Sequence, residues 1–324
     1  MFRFLHAADT HIDSPLDGLE AYDGAPLEAL RGATRAAFEN LVLLALDEKV
    51  DFLLLAGDIY DGDWKDFSTG LYFSRQMARL RAAGIPVYLV AGNHDAASVL
   101  TRRLSLPDNV HVFSTRTAES RDVPGLPVAI HGRGFPQRAV PENLVPDYPA
   151  ALPGRFNIGL LHTSLTGAPG HDDYAPCSLA DLAGKGYQYW ALGHVHLPQV
   201  VSRAPWVVYP GNTQGRHIRE TGPRGCRLVT VGDDLEVLEA EFRALDVARW
   251  ARLELDISAE PSLADVHARL GAALADAAAA AEGRLLAARV VLTGASDLHA
   301  ALRRDLPGLR AECINQAQRL PDGI

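Results

Sequence analysis

The chain has 324 residues, 48% of them hydrophobic and 22% charged, a balance that fits globular domains and excludes disordered, collagen-like and coiled-coil chains. That length accommodates one large domain with a sizeable core and a smaller appended one. The formal net charge of -9 argues against tight autonomous DNA binding by bulk electrostatics, but leaves room for chemistry on DNA at a metal site or with help from a partner.

In chain order, an apolar run Phe2 to Ala8 predicts a strand. Phe38, Leu41, Val42 and Ala45 then fall at i, i+3, i+4 and i+7, the spacing of a buried helix face, and Phe52 to Ala56 follows as a second strand before Gly57-Asp58. A helical pattern from Ser68 to Arg81 leads through Gly84 and Pro86 to the run Val87 to Val90, which stops at a Gly-Asn turn. This β-α-β beginning predicts a layered α/β fold.

Later strand-like runs, Val128 to His131, Ile158 to Leu161, Tyr189 to Leu192, Val207 to Tyr209 and Leu228 to Val231, have fewer helices between them and predict a second sheet packed on the first. The Pro- and Gly-rich stretches Val123 to Pro127 and Phe135 to Gly154 read as surface loops that could shape a substrate groove. From about residue 246 the pattern changes. Leu253 to Ile257, an alanine-rich helix over Leu263 to Ala281, a strand Ala288 to Thr293 and a helix start at Ser296 predict a small β-α-β-α cap, so the domains read as 1–245 and 246–324.

Every candidate metal ligand follows one of the apolar runs, where ligands bind in open α/β sheets. They are Asp9 and His11, then Asp58, then Asn93 with His94 and Asp95, then His162, and finally His194 and His196. Residues i and i+2 of an extended segment project to one side, so Asp9 with His11, and His194 with His196, can each turn two groups to one centre. A lone Gly-Asp or His-x-His is usually a turn or chance; five such pieces in order, each at a strand end, are not. Mixed carboxylate, imidazole and amide donors suit manganese, iron or zinc, with magnesium as a further candidate, and the lack of thiolates argues against structural zinc. Two cations about 3.5 to 4 Å apart could clamp both oxygens of a displacement at phosphorus, with Asp58 as the natural bridge.

Other titratable groups read more plainly. His6, His111 and His131 lie in or beside apolar runs and suit packing or surface roles; His171 reads as a solvated loop residue, and His267 and His299 as helix-surface residues. Asp13, Asp61 and Asp63 sit near the ligand turns and could orient histidines, against the commoner solvated role. Arg216 and His217 follow a strand and suit a phosphate oxygen, against a structural role in their turn. Cys177, Cys226 and Cys313 are odd in number, form no Cys-x-x-Cys pair and read as reduced thiols. No uninterrupted apolar run reaches about 18 residues, which predicts a cytoplasmic protein without membrane insertion.

The five ligand segments together resemble those of the calcineurin-like phosphoesterases. The stretch His6-Ala7-Ala8-Asp9-Thr10-His11-Ile12-Asp13-Ser14-Pro15-Leu16-Asp17-Gly18-Leu19 resembles the DNA repair exonuclease family, in its YhaO-like branch. Tyr209-Pro210-Gly211-Asn212-Thr213-Gln214-Gly215-Arg216-His217, with Glu220-Thr221-Gly222 and Gly225-Cys226, is similar to the same branch, which is related to the nuclease subunit of the bacterial SbcCD complex. The resemblance covers roughly residues 1 to 245.

It implies a four-layer sandwich of two mixed sheets flanked by helices, with a small α/β cap. It implies one metal held by Asp9, His11, Asp58 and His196 and a second held by Asp58, Asn93, His162 and His194, with manganese as first choice. His94 would then face the substrate as the catalytic group, oriented by Asp95. The implied function is a manganese-dependent DNA exonuclease or endonuclease in DNA repair; the alternative is a phosphodiesterase or phosphatase for a small phosphoester, since the fold hosts many. DNA, an SMC-like ATPase and a second copy in a homodimer are the implied partners. The chain stops at Ile324, short of the family's fuller length, which implies a shortened C-terminus and leaves docking of the ATPase open.

Overall fold

The computed structural model describes residues 1–14, 16, 27–61, 67–97, 105–165 and 174–320. Asp63 and His171 lie outside the described residues. The chain divides into two compact units, and the first takes in 1–15, 31–214 and 224–245.

The chain opens with β1 (Phe2–Ala7), the short α1 (Leu27–Arg31), α2 (Ala33–Asp47), β2 (Phe52–Leu55), α3 (Phe67–Ala82), β3 (Val87–Leu89), a short α4 (Asn93–Ala97) and β4 (Val110–Val112), all in the first unit except α1, whose residues 27–30 fall in the second. These four strands pair in parallel, as strands joined by helical crossovers must. The chain then adds β5 (Glu119–Asp122), β6 (Val128–Gly132), β7 (Phe156–His162), α5 (Leu179–Ala183), β8 (Tyr189–Gly193), β9 (Gln199–Arg203) and β10 (Trp206–Tyr209). It closes with β11 (Gly225–Val231) and β12 (Val237–Ala244), which return antiparallel to the edge beside β1. One six-stranded sheet runs β12-β11-β1-β2-β3-β4 and the other β5-β6-β7-β8-β10-β9.

The two-residue period of a strand explains how one short run serves two cores. Leu53 and Leu55 of β2 pack on Phe38, Leu41 and Val42 of α2 and on Phe73, Met77 and Leu80 of α3. Phe52 and Leu54 face the other way, into a core with Phe4, Val128, Ile130, Phe156, Ile158, Leu160 and Tyr189 that fills the space between the sheets. Phe4 stacks on Phe52 at 4.9 Å and meets Tyr189 edge-on at 5.3 Å, each such pair adding about 0.5–1.5 kcal/mol beyond its buried area. The outer face of the second sheet is covered by a third core of Phe135, Val145, Tyr148, Leu182, Tyr187 and Trp190. Four layers result: helices, sheet, sheet, and an outer layer of α5 with the segment around a single 3-10 turn at Val145–Asp147.

The second unit takes in 16–30, 215–223 and 246–324. In it β13 (Ala248–Asp256) and β14 (Leu285–Thr293) form a parallel pair joined by α6 (Leu263–Ala280), followed by α7 (His299–Arg304) and α8 (Leu306–Gln318). Ser262 caps α6 by accepting the Asp265 N–H, and Val266, Leu270 and Leu274 form its buried face. The helix read from Ser296 begins instead at His299, because Ser296 Oγ accepts the Leu298 N–H at 3.1 Å and holds a turn ahead of it. Among the described residues no helix is long and apolar enough to cross a membrane.

Candidate metal and phosphoester site

The site forms where β1, β2, β3, β7 and β8 end. Asp9 and His11 follow β1, Asp58 follows β2, Asn93 and His94 open α4 after β3, His162 is the last residue of β7, and His194 and His196 follow β8. Four of these residues adopt a left-handed backbone, Asp9 at φ 51°, His11 at 39°, Asp58 at 53° and His194 at 95°. Such conformations cost about 1–3 kcal/mol each and persist only where the surroundings overdetermine them. Here they do: Asp9 N–H donates to Gly57 O at 3.0 Å, His11 N–H to Asp58 O at 3.1 Å and Ile12 N–H to Ile59 O at 2.9 Å, lacing the two turns together. Two glycines permit the approach. A Cβ on Gly92 would lie 2.3 Å from Asp58 Oδ1, and one on Gly193 would lie 1.9 Å from Ala56 O.

The side chains converge. His11 Nε2 lies 3.3 Å from His196 Nε2 and 4.0 Å from Asp58 Oδ2, while His196 Nε2 lies 3.8 Å from Asp9 Oδ1. On the other side of Asp58, His162 Nε2 lies 3.4 Å from Oδ2 and 2.9 Å from Asn93 Oδ1, with the His194 ring 5.2 Å from the His162 ring. His162 Nδ1 donates to Ala56 O at 2.9 Å, which fixes the ring and turns Nε2 towards Asp58 and Asn93. Lone-pair donors at these separations repel one another unless a proton or a cation lies among them. Asp9, His11 and His196 form one group that could hold a cation, His11, Asp58 and His94 a second, and Asp9, Asp58 and His162 a third.

Electrostatics give the same account. Burial raises the Asp9 carboxyl to about 6, against the pull of His196 and His162. Burial would also raise Asp58, but His162 and His11 outweigh it and hold that carboxyl far below the usual range. Burial lowers His162, yet Asp58 beside it prevails and lifts the imidazole to about 9. Buried, opposed shifts of this kind mark functional sites. The donor set fits one or more divalent cations.

His94 differs from its neighbours. Its side chain is 26% exposed, whereas that of His162 is fully covered. Its backbone N–H donates to Asp58 Oδ1 at 2.9 Å and its ring stands edge-on to His11 at 5.0 Å. The carboxylate against His94 Nδ1 is that of Asp61, at 2.8 Å, and Ser14 Oγ in turn donates to Asp61 Oδ2 at 2.7 Å. The sequence reading expects that orienting contact from Asp95. The Asp95 carboxylate accepts from the backbone of Ile59 at 2.9 Å, Tyr60 at 3.1 Å and Gly92 at 3.0 Å, pinning the turn after β2 to the turn after β3. Asp13 is likewise structural: Arg35 of α2 and Thr69 of α3 both donate to it. Arg216 and His217 belong to the second unit, where the Arg216 N–H donates to Glu220 Oε2 at 2.7 Å and His217 Nε2 lies 3.5 Å from Glu220 Oε1.

Residues 2–198 match the calcineurin-like phosphoesterases over a span that contains every donor named above. The chain belongs to that family. Residues 250–324 match a second family, described as the middle domain of metallophosphoesterase YhaO. Among curated relatives, an uncharacterized metallophosphoesterase YhaO of Bacillus subtilis is 39% identical over 79% of this chain and 63% of its own length. A DNA double-strand break repair protein Mre11 of Haloferax volcanii is 27% identical over 83% of this chain and 58% of its own, and one of Aeropyrum pernix is 28% identical over 100% and 78%. The chain thus spans less than two thirds of the first two. As a calcineurin-like phosphoesterase it belongs to a family that binds divalent metals, and Asp, His and Asn side chains at its strand ends form a candidate site for them.

Proposed function

We propose that this chain is a manganese-dependent phosphodiesterase that cleaves DNA, as an exonuclease or endonuclease in DNA repair, through a centre of two metals. The observation that carries the reading is the position of Asp58 Oδ2, 4.0 Å from His11 Nε2 and 3.4 Å from His162 Nε2, which makes one carboxylate common to two donor sets. In this reading Asp9, His11, Asp58 and His196 hold one cation, and Asp58, Asn93, His162 and His194 the other. Divalent cations there supply the charge that activates water and offsets negative charge growing on the phosphoryl oxygens.

The protein supplies the rest. Asp61 holds the Nδ1 proton of His94, so Nε2 is the atom that can deliver a proton to the leaving oxygen. Ser14 fixes Asp61 and so fixes the ring. In this reading Asp95 supports the site through the turns it joins. DNA as substrate is supported by the relatives named as Mre11, and Arg216 and His217 are cationic or potentially cationic groups suited to a backbone phosphate. With a net charge of -9, the chain would gain added grip on DNA from an SMC-like ATPase partner, and a homodimer would double the sites.

The test is hydrolysis of labelled linear DNA alongside bis-p-nitrophenyl phosphate, with manganese, with chelator, and in Asp58→Ala and His94→Ala variants. Cleavage of both substrates by the wild type only with metal, lost in Asp58→Ala, supports the reading. Cleavage of the small ester alone, with and without an ATPase partner, would remove DNA from it.

A further inference from the structure

We propose that the second unit carries a separate phosphate-binding site for a nucleic-acid backbone, built from Arg219, Arg252 and Arg289; this rests on the reading of the chain as a nuclease. Arg252 and Arg289 are register partners on the parallel strands β13 and β14. Leu253, Leu255, Val290 and Leu292 of the same strands pack on the core beside α6, so the two arginines project from the opposite face of the sheet, and both are exposed. Neighbouring strands lie about 4.8 Å apart, so the two guanidinium stems rise side by side, an arrangement that costs stability through like-charge repulsion.

The third arginine is held beside them by Trp250. Its indole N–H donates to Gly215 O at 2.9 Å, its carbonyl accepts the Gly222 N–H at 3.0 Å, and Thr221 bridges to it in parallel. The segment 215–223 is thereby fastened along β13, and Ile218, Arg219, Thr221, Arg252 and Arg289 enclose a cavity of about 370 Å³. Among the described residues Arg219 and Arg289 have no ion-pair partner. Arg252 pairs with Glu254 at 2.7 Å, but both groups are more than half exposed, and such surface pairs contribute little and exchange readily.

Three guanidinium groups around one cavity against a single carboxylate, in a chain with 40 acidic and 31 basic residues, form a local excess of positive charge on an acidic protein. A planar guanidinium fork matches phosphate oxygens in pairs. A lone carboxylate would leave charge unmatched, whereas consecutive phosphates of a strand can engage all three.

The experiment measures binding of the 324-residue chain to a short fluorescent DNA duplex in EDTA, where nothing is cleaved, across a salt series. Arg252→Gln/Arg289→Gln is expected to weaken binding about tenfold or more and to lower the salt slope by about two, since each lost phosphate contact removes about one. Hydrolysis of bis-p-nitrophenyl phosphate with manganese stays at the wild-type rate, which separates this site from the metal centre. Arg303→Gln/Arg304→Gln, with the same change in net charge on α7, leaves binding near wild type, and Arg252→Lys/Arg289→Lys recovers part of it. Unchanged affinity and slope in the glutamine pair would overturn the proposal. So would displacement of DNA by polyglutamate at equal charge, which would assign the patch to an acidic protein. A chain that binds DNA through these arginines yet hydrolyses no phosphodiester would instead remove the nuclease reading and leave the binding site standing.

Discussion

At the scale of single residues, the candidate donors that the structure brings together were legible because divalent-metal chemistry calls for such side chains and the fold gathers them at strand ends. The partner of His94 was not. Asp61 and Asp95 both stand within a few residues of a metal donor, and a sequence offers no reason to prefer either. In the structure Asp61 lies 2.8 Å from His94 Nδ1, and the Asp95 carboxylate accepts from three backbone N–H groups. The two acids therefore respond differently to substitution. Asp61→Asn is expected to lower kcat on bis-p-nitrophenyl phosphate tenfold or more with melting temperature and bound manganese near wild type. Asp95→Asn is expected to cost about 1–3 kcal/mol in urea unfolding, since a buried acceptor of three hydrogen bonds is weakened. His94→Gln removes proton transfer at Nε2 and is expected to slow turnover by about 10²–10⁴, with metal content intact. Equal metal loss in His94→Gln would make His94 a ligand. The left-handed backbone at Asp9, His11, Asp58 and His194 was also invisible in the sequence, because none of these positions is a glycine.

At the scale of elements, periodicity located the strands and crossover helices well where burial is complete. The run Phe52–Leu55 is apolar at every position because each face of β2 meets a different core. Phe52→Ala is expected to cost about 3–5 kcal/mol, measured by chemical unfolding, as it opens a cavity between the sheets. Polar links between layers were not legible. His6 reads as a packing histidine, and it is buried, but its Nδ1 lies 3.1 Å from Tyr189 Oη and its Nε2 3.2 Å from Leu192 O, joining β1 of one sheet to β8 of the other. Burial pulls its pKa from 6.5 to about 3, despite the Leu192 carbonyl. The unfolded chain thus binds a proton at His6 at higher pH than the folded one. Stability from this group is full above 6.5 and falls as pH drops from there towards 3. Unfolding free energy measured against pH in that window should fall more steeply for the wild type than for His6→Gln; parallel curves would count against the role given to His6. The start of α7 at His299 rather than Ser296 has a similar origin, a side chain that satisfies a local turn before the helix begins.

At the scale of the whole chain, composition spoke about charge, and its sum concealed its distribution. A net charge of -9 gives no hint of arginines gathered on β13, β14 and the segment beside them, because pairing of distant strands brings them together. The family's ligand order, by contrast, could be read directly, since each donor follows its own strand in sequence. The central claim is that Asp58 serves two donor sets at once. Manganese titration by calorimetry on the metal-free chain tests it most directly, in the wild type, Asp58→Asn and His162→Ala. The account predicts two manganese ions per wild-type chain, one in His162→Ala, and a loss of affinity for both in Asp58→Asn. A single ion in the wild type, or two ions bound unchanged by Asp58→Asn, would contradict it.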